Sequence, residues 1–222
     1  MKQKTIFYTE LAYIFAVILL ALATALSTLA DFGLSPVAAP SYLLHLKLSQ
    51  YHSFFTFGKT EIIVQLAILI ITSAIIGKFK KSFLLSFGTA AFFGVVLDIW
   101  LFILTCLPTE YMIIRILMFT ASIIICSISI SLFFKTYLPP AAYEVAVKEI
   151  TDKFKLNTGK FKTIFDCICL VAAIILSLCF FRKLEGIGIG TIISAVCNGF
   201  LINKFNNLYN KIFEFKNKLK SA

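Results

Sequence analysis

The sequence predicts an all-α integral membrane protein whose six transmembrane helices form two inverted-topology three-helix repeats. Three observations lead there. Apolar residues make up 59% of the 222 positions and charged residues only 14%, against roughly half and a quarter in soluble domains. Six runs are free or nearly free of charge: Leu11–Ala30, Ile62–Gly77, Ser82–Thr109 (interrupted by Asp98), Ile116–Phe134, Thr163–Phe181 (with Asp166) and Gly186–Asn203. The third observation is that the two halves of the chain echo one another.

A helix rising about 1.5 Å per residue crosses a hydrocarbon core of about 30 Å in roughly 20 residues. The runs therefore place helices at about 11–30, 60–77 and 82–107 in a first repeat (residues 1–109), and at about 112–134, 162–181 and 186–204 in a second (residues 110–205). Residues 206–222 are left as a basic cytoplasmic tail. The first run, at 20 residues, exceeds the length of a signal-peptide core, so a retained helix is expected. The second, at 16 residues, needs Glu61 and Lys78 to reach outward to the interface.

The net charge of +10 does not point to nucleic acid, because of where the basic residues lie. With the N-terminus inside, 16 of the 21 Lys and Arg residues fall on that side and 5 on the other (Lys47, Lys59, Arg115, Arg182, Lys183). This asymmetry assigns both termini to the cytoplasm. The charge of the tail reads first as topogenic, with contact to anionic lipid through Ile212, Phe213 and Phe215 as the alternative.

The repeat is carried by three matches in the same order. "LSPVAA" (Leu34–Ala39) corresponds to "LPPAAY" (Leu138–Tyr143), "GKTEIIVQLAIL" (Gly58–Leu69) to "GKFKTIFDCICL" (Gly159–Leu170), and "GTAAFFGVVLD" (Gly88–Asp98) to "GTIISAVCNGFLIN" (Gly190–Asn203). Successive anchors are 24 and 30 residues apart in the first half and 21 and 31 in the second. Three crossings per half is an odd number, so the second half must enter the membrane inverted. Inverted repeats are typical of secondary transporters, with the solute held where the halves meet.

Three of these stretches, "ADFGLSP" (Ala30–Pro36), "FGKTE" (Phe57–Glu61) and "GIGIGT" (Gly186–Thr191), resemble the YczE/YyaS/YitT-type family of bacterial multi-pass membrane proteins, over most of residues 10–205. The resemblance implies an integral location in the bacterial inner membrane and supplies no reaction. Where family members follow the Pro with an aromatic and an acidic residue, this chain has Val37 and Ala38.

Polar residues inside apolar runs are the site candidates, because each costs several kcal/mol in hydrocarbon unless partnered. Asp98 is the deepest carboxylate, with Gly94 one turn away and Arg115 as the expected partner across a short loop. A structural ion pair and a pathway role are both open for it. Asp31, Ser35 and Glu61 stand at the breaks of the first half; Glu144 and Asp166 are their counterparts in the second, and Asn198 lies within the sixth run. Gly188, Gly190 and Thr191 open the last helix, where free backbone N–H groups can meet an anion or where missing side chains allow close packing. A dinucleotide loop is excluded by the absence of a preceding strand and a following acidic residue.

No catalytic constellation, cofactor motif or metal site is expected. His45 and His52 lack a third ligand, and Cys167 and Cys169 face different directions on a helix. The expected partners are the lipid bilayer and a small solute or ion, with a second copy or another membrane protein left open. The leading function is a small-solute carrier. The alternatives are a non-transporting scaffold or accessory protein, and a substrate-binding subunit whose alanine face (Ala12, Ala16, Ala21, Ala25) docks a partner helix.

Overall fold

A computed structural model describes residues 5–156 and 158–217. Among them, strand β1 (Thr5–Tyr8) leads into helices α1 (Thr9–Ala30), α2 (Ala39–Leu48), α3 (Phe57–Ile76), α4 (Lys81–Leu104), α5 (Met112–Phe133), α6 (Ala142–Phe154), α7 (Thr158–Phe181) and α8 (Ile189–Ile212), followed by strand β2 (Phe213–Lys216). Five helices are long and apolar enough to cross a membrane: α1, α3, α4, α5 and residues Lys160–Phe181 of α7. Their outward faces carry exposed Ile70, Phe102, Leu117 and Ile168, as suits a lipid environment.

Each boundary has a local cause. Asp31 turns left-handed (φ 54°) to end α1, and Gly77 (φ 73°) ends α3. Thr56 caps α3 by accepting from the Lys59 N–H. Pro40 opens α2 within its first turn, and Pro139 and Pro140 precede α6, where proline's missing N–H costs nothing.

At the centre stands α1. Its alanines 12, 16, 21 and 25 are fully buried and let α5 approach closely enough for the Ser129 hydroxyl to donate to the Ala16 carbonyl at 2.6 Å. That face is covered within the chain, contrary to the expectation that it docks a partner helix. The packing partners repeat between halves: α1 packs on α4 as α5 packs on α8, and α3 packs on α6 as α2 packs on α7.

Three further expectations are corrected. Two short helices, α2 and α6, occupy what read as polar connections. The last helix starts at Ile189 and continues to Ile212, beyond the expected end near 204, so the tail is not separate. The residues after it form β2, which pairs parallel with β1 (Ile6 opposite Glu214). Phe213 and Phe215 accordingly rest on Phe7, with ring centroids at 5.4 and 6.0 Å, rather than being left to lipid.

The bundle has two ends. The upper end carries the start of α3 and the end of α1; the lower end carries the strands.

Candidate functional site

Glu61, in the second turn of α3, is only 2% exposed. Its Oε2 accepts from the Ser41 hydroxyl of α2. Its Oε1 accepts from the Tyr143 phenol of α6 at 2.9 Å and from Gln65 Nε2, one turn along α3, at 3.1 Å. Gln65 Oε1 in turn accepts from the Ala142 N–H, the first of α6, at 3.0 Å. All four polar side chains of this knot are buried.

The knot marks where two short helices begin. From Ser41, α2 runs toward the upper end of α3: Tyr42 and His45 pack on Phe57, and His45 Nδ1 lies 2.7 Å from the Phe55 carbonyl. From Ala142, α6 runs the other way, until Lys153 donates to the Ile75 and Ile76 carbonyls at 2.8 and 3.1 Å. Both helices thus begin at the knot, α2 with the Ser41 hydroxyl on Glu61 and α6 with the Tyr143 phenol on Glu61 and the Ala142 N–H on Gln65.

Backbone that enters such a bundle without helical bonding needs other partners. The segment before α6 finds them on α4, where Ser86 and Thr89 donate to the Pro140 and Pro139 carbonyls at 2.8 and 3.3 Å. The segment before α2 finds them at the start of α8: Gly190 N–H donates to the Phe32 carbonyl, and Leu34 N–H to that of Gly186, both at 2.9 Å.

Beside the knot lies a second polar pair, at the positions that the sequence match sets against Glu61 and Gln65. Glu61 corresponds to Lys162 and Gln65 to Asp166 in the sequence match, and Lys162 Nζ lies 2.8 Å from Asp166 Oδ1. Glu144, in the first turn of α6, has a buried Oε2 with no hydrogen-bond partner among the described residues. Burial raises its carboxyl above the usual range, against the opposing pull of Lys162. Burial and the neighbouring Glu61 hold the Tyr143 phenol well above its ordinary value, so it stays a hydrogen-bond donor.

The remaining candidates separate into other places. Asp98 is not paired with Arg115. Its carboxylate takes the Thr56 hydroxyl at 2.5 Å and the Gly58 N–H at 2.8 Å, capping α3. Arg115 instead closes the end of α1, donating to the Ala30 carbonyl (2.8 Å), the Asp31 carbonyl (3.2 Å) and Asp31 Oδ2 (3.1 Å). Gly188 and Gly190 are close-packed, since a side chain on either would strike the Phe32 carbonyl. Thr191 accepts from the Gly188 N–H at 3.3 Å. Among the described residues this helix start is engaged by its own neighbours rather than held open for an anion.

Asn198 accepts from Ser127 at 3.1 Å, joining α8 to α5. Together with Ser35 it lines a cavity of about 60 Å³ that also meets Thr24, Ser27, Ser122 and Ser194. Its polar lining is hydroxyl and amide, without a charged group, and its volume is about that of two water molecules. Among the described residues no three His, Cys, Asp or Glu side chains gather as a metal would require.

Sequence reasoning missed Ser41, Tyr143 and Thr56 as site members. The signal for the first two lay in the proline-marked breaks, each of which starts a helix within three residues.

A family of unknown function, DUF6198, matches residues 7–207. The chain belongs to this family. It is also similar to the uncharacterized protein YyaS of Bacillus subtilis (strain 168), at 26% identity over 207 residues, which is 93% of this chain and 96% of that protein. No solved structure matches. Two of the three motifs behind the family resemblance meet in space: the turn of "ADFGLSP" is bonded backbone-to-backbone with "GIGIGT".

Proposed function

We propose that this membrane protein is a carrier for a small polar solute, built from two inverted repeats with α8 as the sixth crossing. The single observation that carries the reading is the convergence of two short, interrupted helices, one from each half, on a buried polar knot. Discontinuous helices meeting inside the bundle are the usual binding element of inverted-repeat carriers. The exchange of packing partners between halves supports the repeat. Strand pairing supports the sixth crossing: β1 and β2 lie side by side, so the chain starts and ends at one face, and a chain that does so crosses an even number of times.

A second reading has its own observation. Asp98 is fully engaged as a helix cap, Asn198 as a bond between helices, and the described cavity touching Asn198 is small. A non-transporting scaffold would look the same there.

One experiment separates them. The purified protein is screened for thermal stabilisation by small metabolites, and hits are tested for flux in proteoliposomes. A ligand at a hundred times its dissociation constant stabilises by about 2.7 kcal/mol. A hit that is weakened by Ser35→Ala and carried across the bilayer supports the carrier. A broad panel without hits, with a second membrane protein co-purifying, supports the scaffold.

A further inference from the structure

Glu61 has three hydrogen-bond partners, and all are neutral: Ser41, Tyr143 and Gln65. Among the described residues no ion pair reaches it. From α2 comes His45, whose Nδ1 faces the Phe55 carbonyl at 2.7 Å rather than the carboxyl. From α6 come Tyr143 and Glu144, the second a carboxyl of the same sign. From α7 come Cys169 and, beyond it, the Lys162–Asp166 ion pair. On α4, Asp98 is held at the upper end of α3. Lys162, paired with Asp166, also acts on Glu144, and Glu61 and Glu144 are left without an ion pair of their own among the described residues. Ionised together they would leave two uncompensated negative charges inside the protein, which interiors avoid by binding a proton.

The hydrogen count at Ser41 points to where that proton goes. A serine hydroxyl has one hydrogen, yet Ser41 Oγ lies against Glu61 Oε2 and also 2.9 Å from the Ala38 carbonyl. With the hydrogen turned to Glu61, the carboxylate is ionised and accepts it. With the hydrogen turned to Ala38, the same contact requires a hydrogen on Glu61 Oε2, donated to Ser41. Both proton states fit one arrangement of heavy atoms. Among the described residues the buried Glu144 Oε2 has no partner and is a second open acceptor in the same cluster.

We propose that Glu61 is a proton-binding site that takes up and releases its proton at Oε2 against Ser41, and that its charge biases α2 and α6. Ionised, it accepts from Ser41 of α2 and Tyr143 of α6 together; neutral, it donates to Ser41 and its hold on the two helix starts weakens. As the driving-ion site of a carrier the proposal rests on the function proposed above; as a proton site it does not.

Infrared spectra of the purified full chain across a pH series test it, reading the carbonyl stretch of protonated buried carboxyl groups. The expected result is a band that fades as pH rises, is missing in Glu61→Gln and survives in Glu144→Gln with a moved midpoint. An identical titration in wild type and Glu61→Gln overturns the site. Should Glu61→Gln fail to fold, Ser41→Ala keeps the carboxyl and removes its partner; a moved midpoint supports the site and an unmoved one overturns it. A Glu61 band without any solute flux keeps the proton site and drops the carrier. Flux without a Glu61 band does the reverse.

Discussion

An aspartate within an apolar helix is costly unless its charge is met, and Asp98 is met by the beginning of another helix. Thr56 and the Gly58 N–H are its partners, so removing the side chain leaves both donors short of an acceptor. Asp98→Ala is expected to lower stability by about 2 kcal/mol or more, and Asp98→Asn, which keeps one acceptor for the Gly58 N–H but turns the other into a donor toward Thr56 and loses the charge, by about 1 kcal/mol. Thermal melts in detergent check the order; a larger loss for Asn would contradict the cap. The separate engagement of Arg115 gives a second test. The effects of Asp98→Asn and Arg115→Gln should add to within about 0.5 kcal/mol, since the two side chains share no partner. A coupling above about 1 kcal/mol in that double-mutant cycle would restore the ion pair expected from sequence. That expectation failed for a physical reason. A short loop makes Arg115 the nearest opposite charge at that end of the helix, whereas the true partners lie 40 and 42 residues away and are neutral.

At the level of helices, the long elements were legible and the short ones were not. Runs of about twenty apolar residues announce themselves by hydropathy alone, and α1, α3, α4 and α5 each begin and end within three residues of a helix drawn on such a run. By contrast α2 and α6 have ten and thirteen residues, too few for that signal, and their orientation depends on Glu61 and Gln65 lying 20 and 77 residues from their partners Ser41 and Ala142. What the chain did mark was close approach. Gly58 and Gly94 bring α3 and α4 together so tightly that a Cβ on Gly58 would sit 2.7 Å from the Gly94 carbonyl carbon and 2.7 Å from Asp98 Cγ. Gly58→Ala is therefore expected to cost roughly 1–3 kcal/mol by forcing the helices apart. Gly88→Ala, on the same α4 but with nothing within 4 Å of the new Cβ, should be neutral or gain about 0.5–1 kcal/mol from the loss of backbone freedom in the unfolded chain. Equal melting temperatures for the two variants would mean that the α3–α4 crossing is looser than this.

For the molecule as a whole, the decisive question is whether α8 crosses. Five helices have clear spanning character, an odd number that would leave the two chain ends on opposite faces. The parallel β1–β2 pair puts Ile6 opposite Glu214, which argues for one face and hence for a sixth crossing. The deepest polar residue of α8 does not prevent it: Asn198 is bonded to Ser127 of α5, so that amide is turned into the bundle rather than to lipid, and the exposed Asn203, Lys204 and Asn207 lie toward the helix's lower end. In a background with the six native cysteines replaced, single cysteines at positions 6 and 214 should react with an impermeant thiol reagent from one side of sealed vesicles, and a cysteine at Glu185, just before α8, from the other. Labelling of 185 and 214 from the same side would remove the sixth crossing. The second half would then hold two crossings against three in the first, and no inversion relating the halves could survive, whatever solute the protein binds.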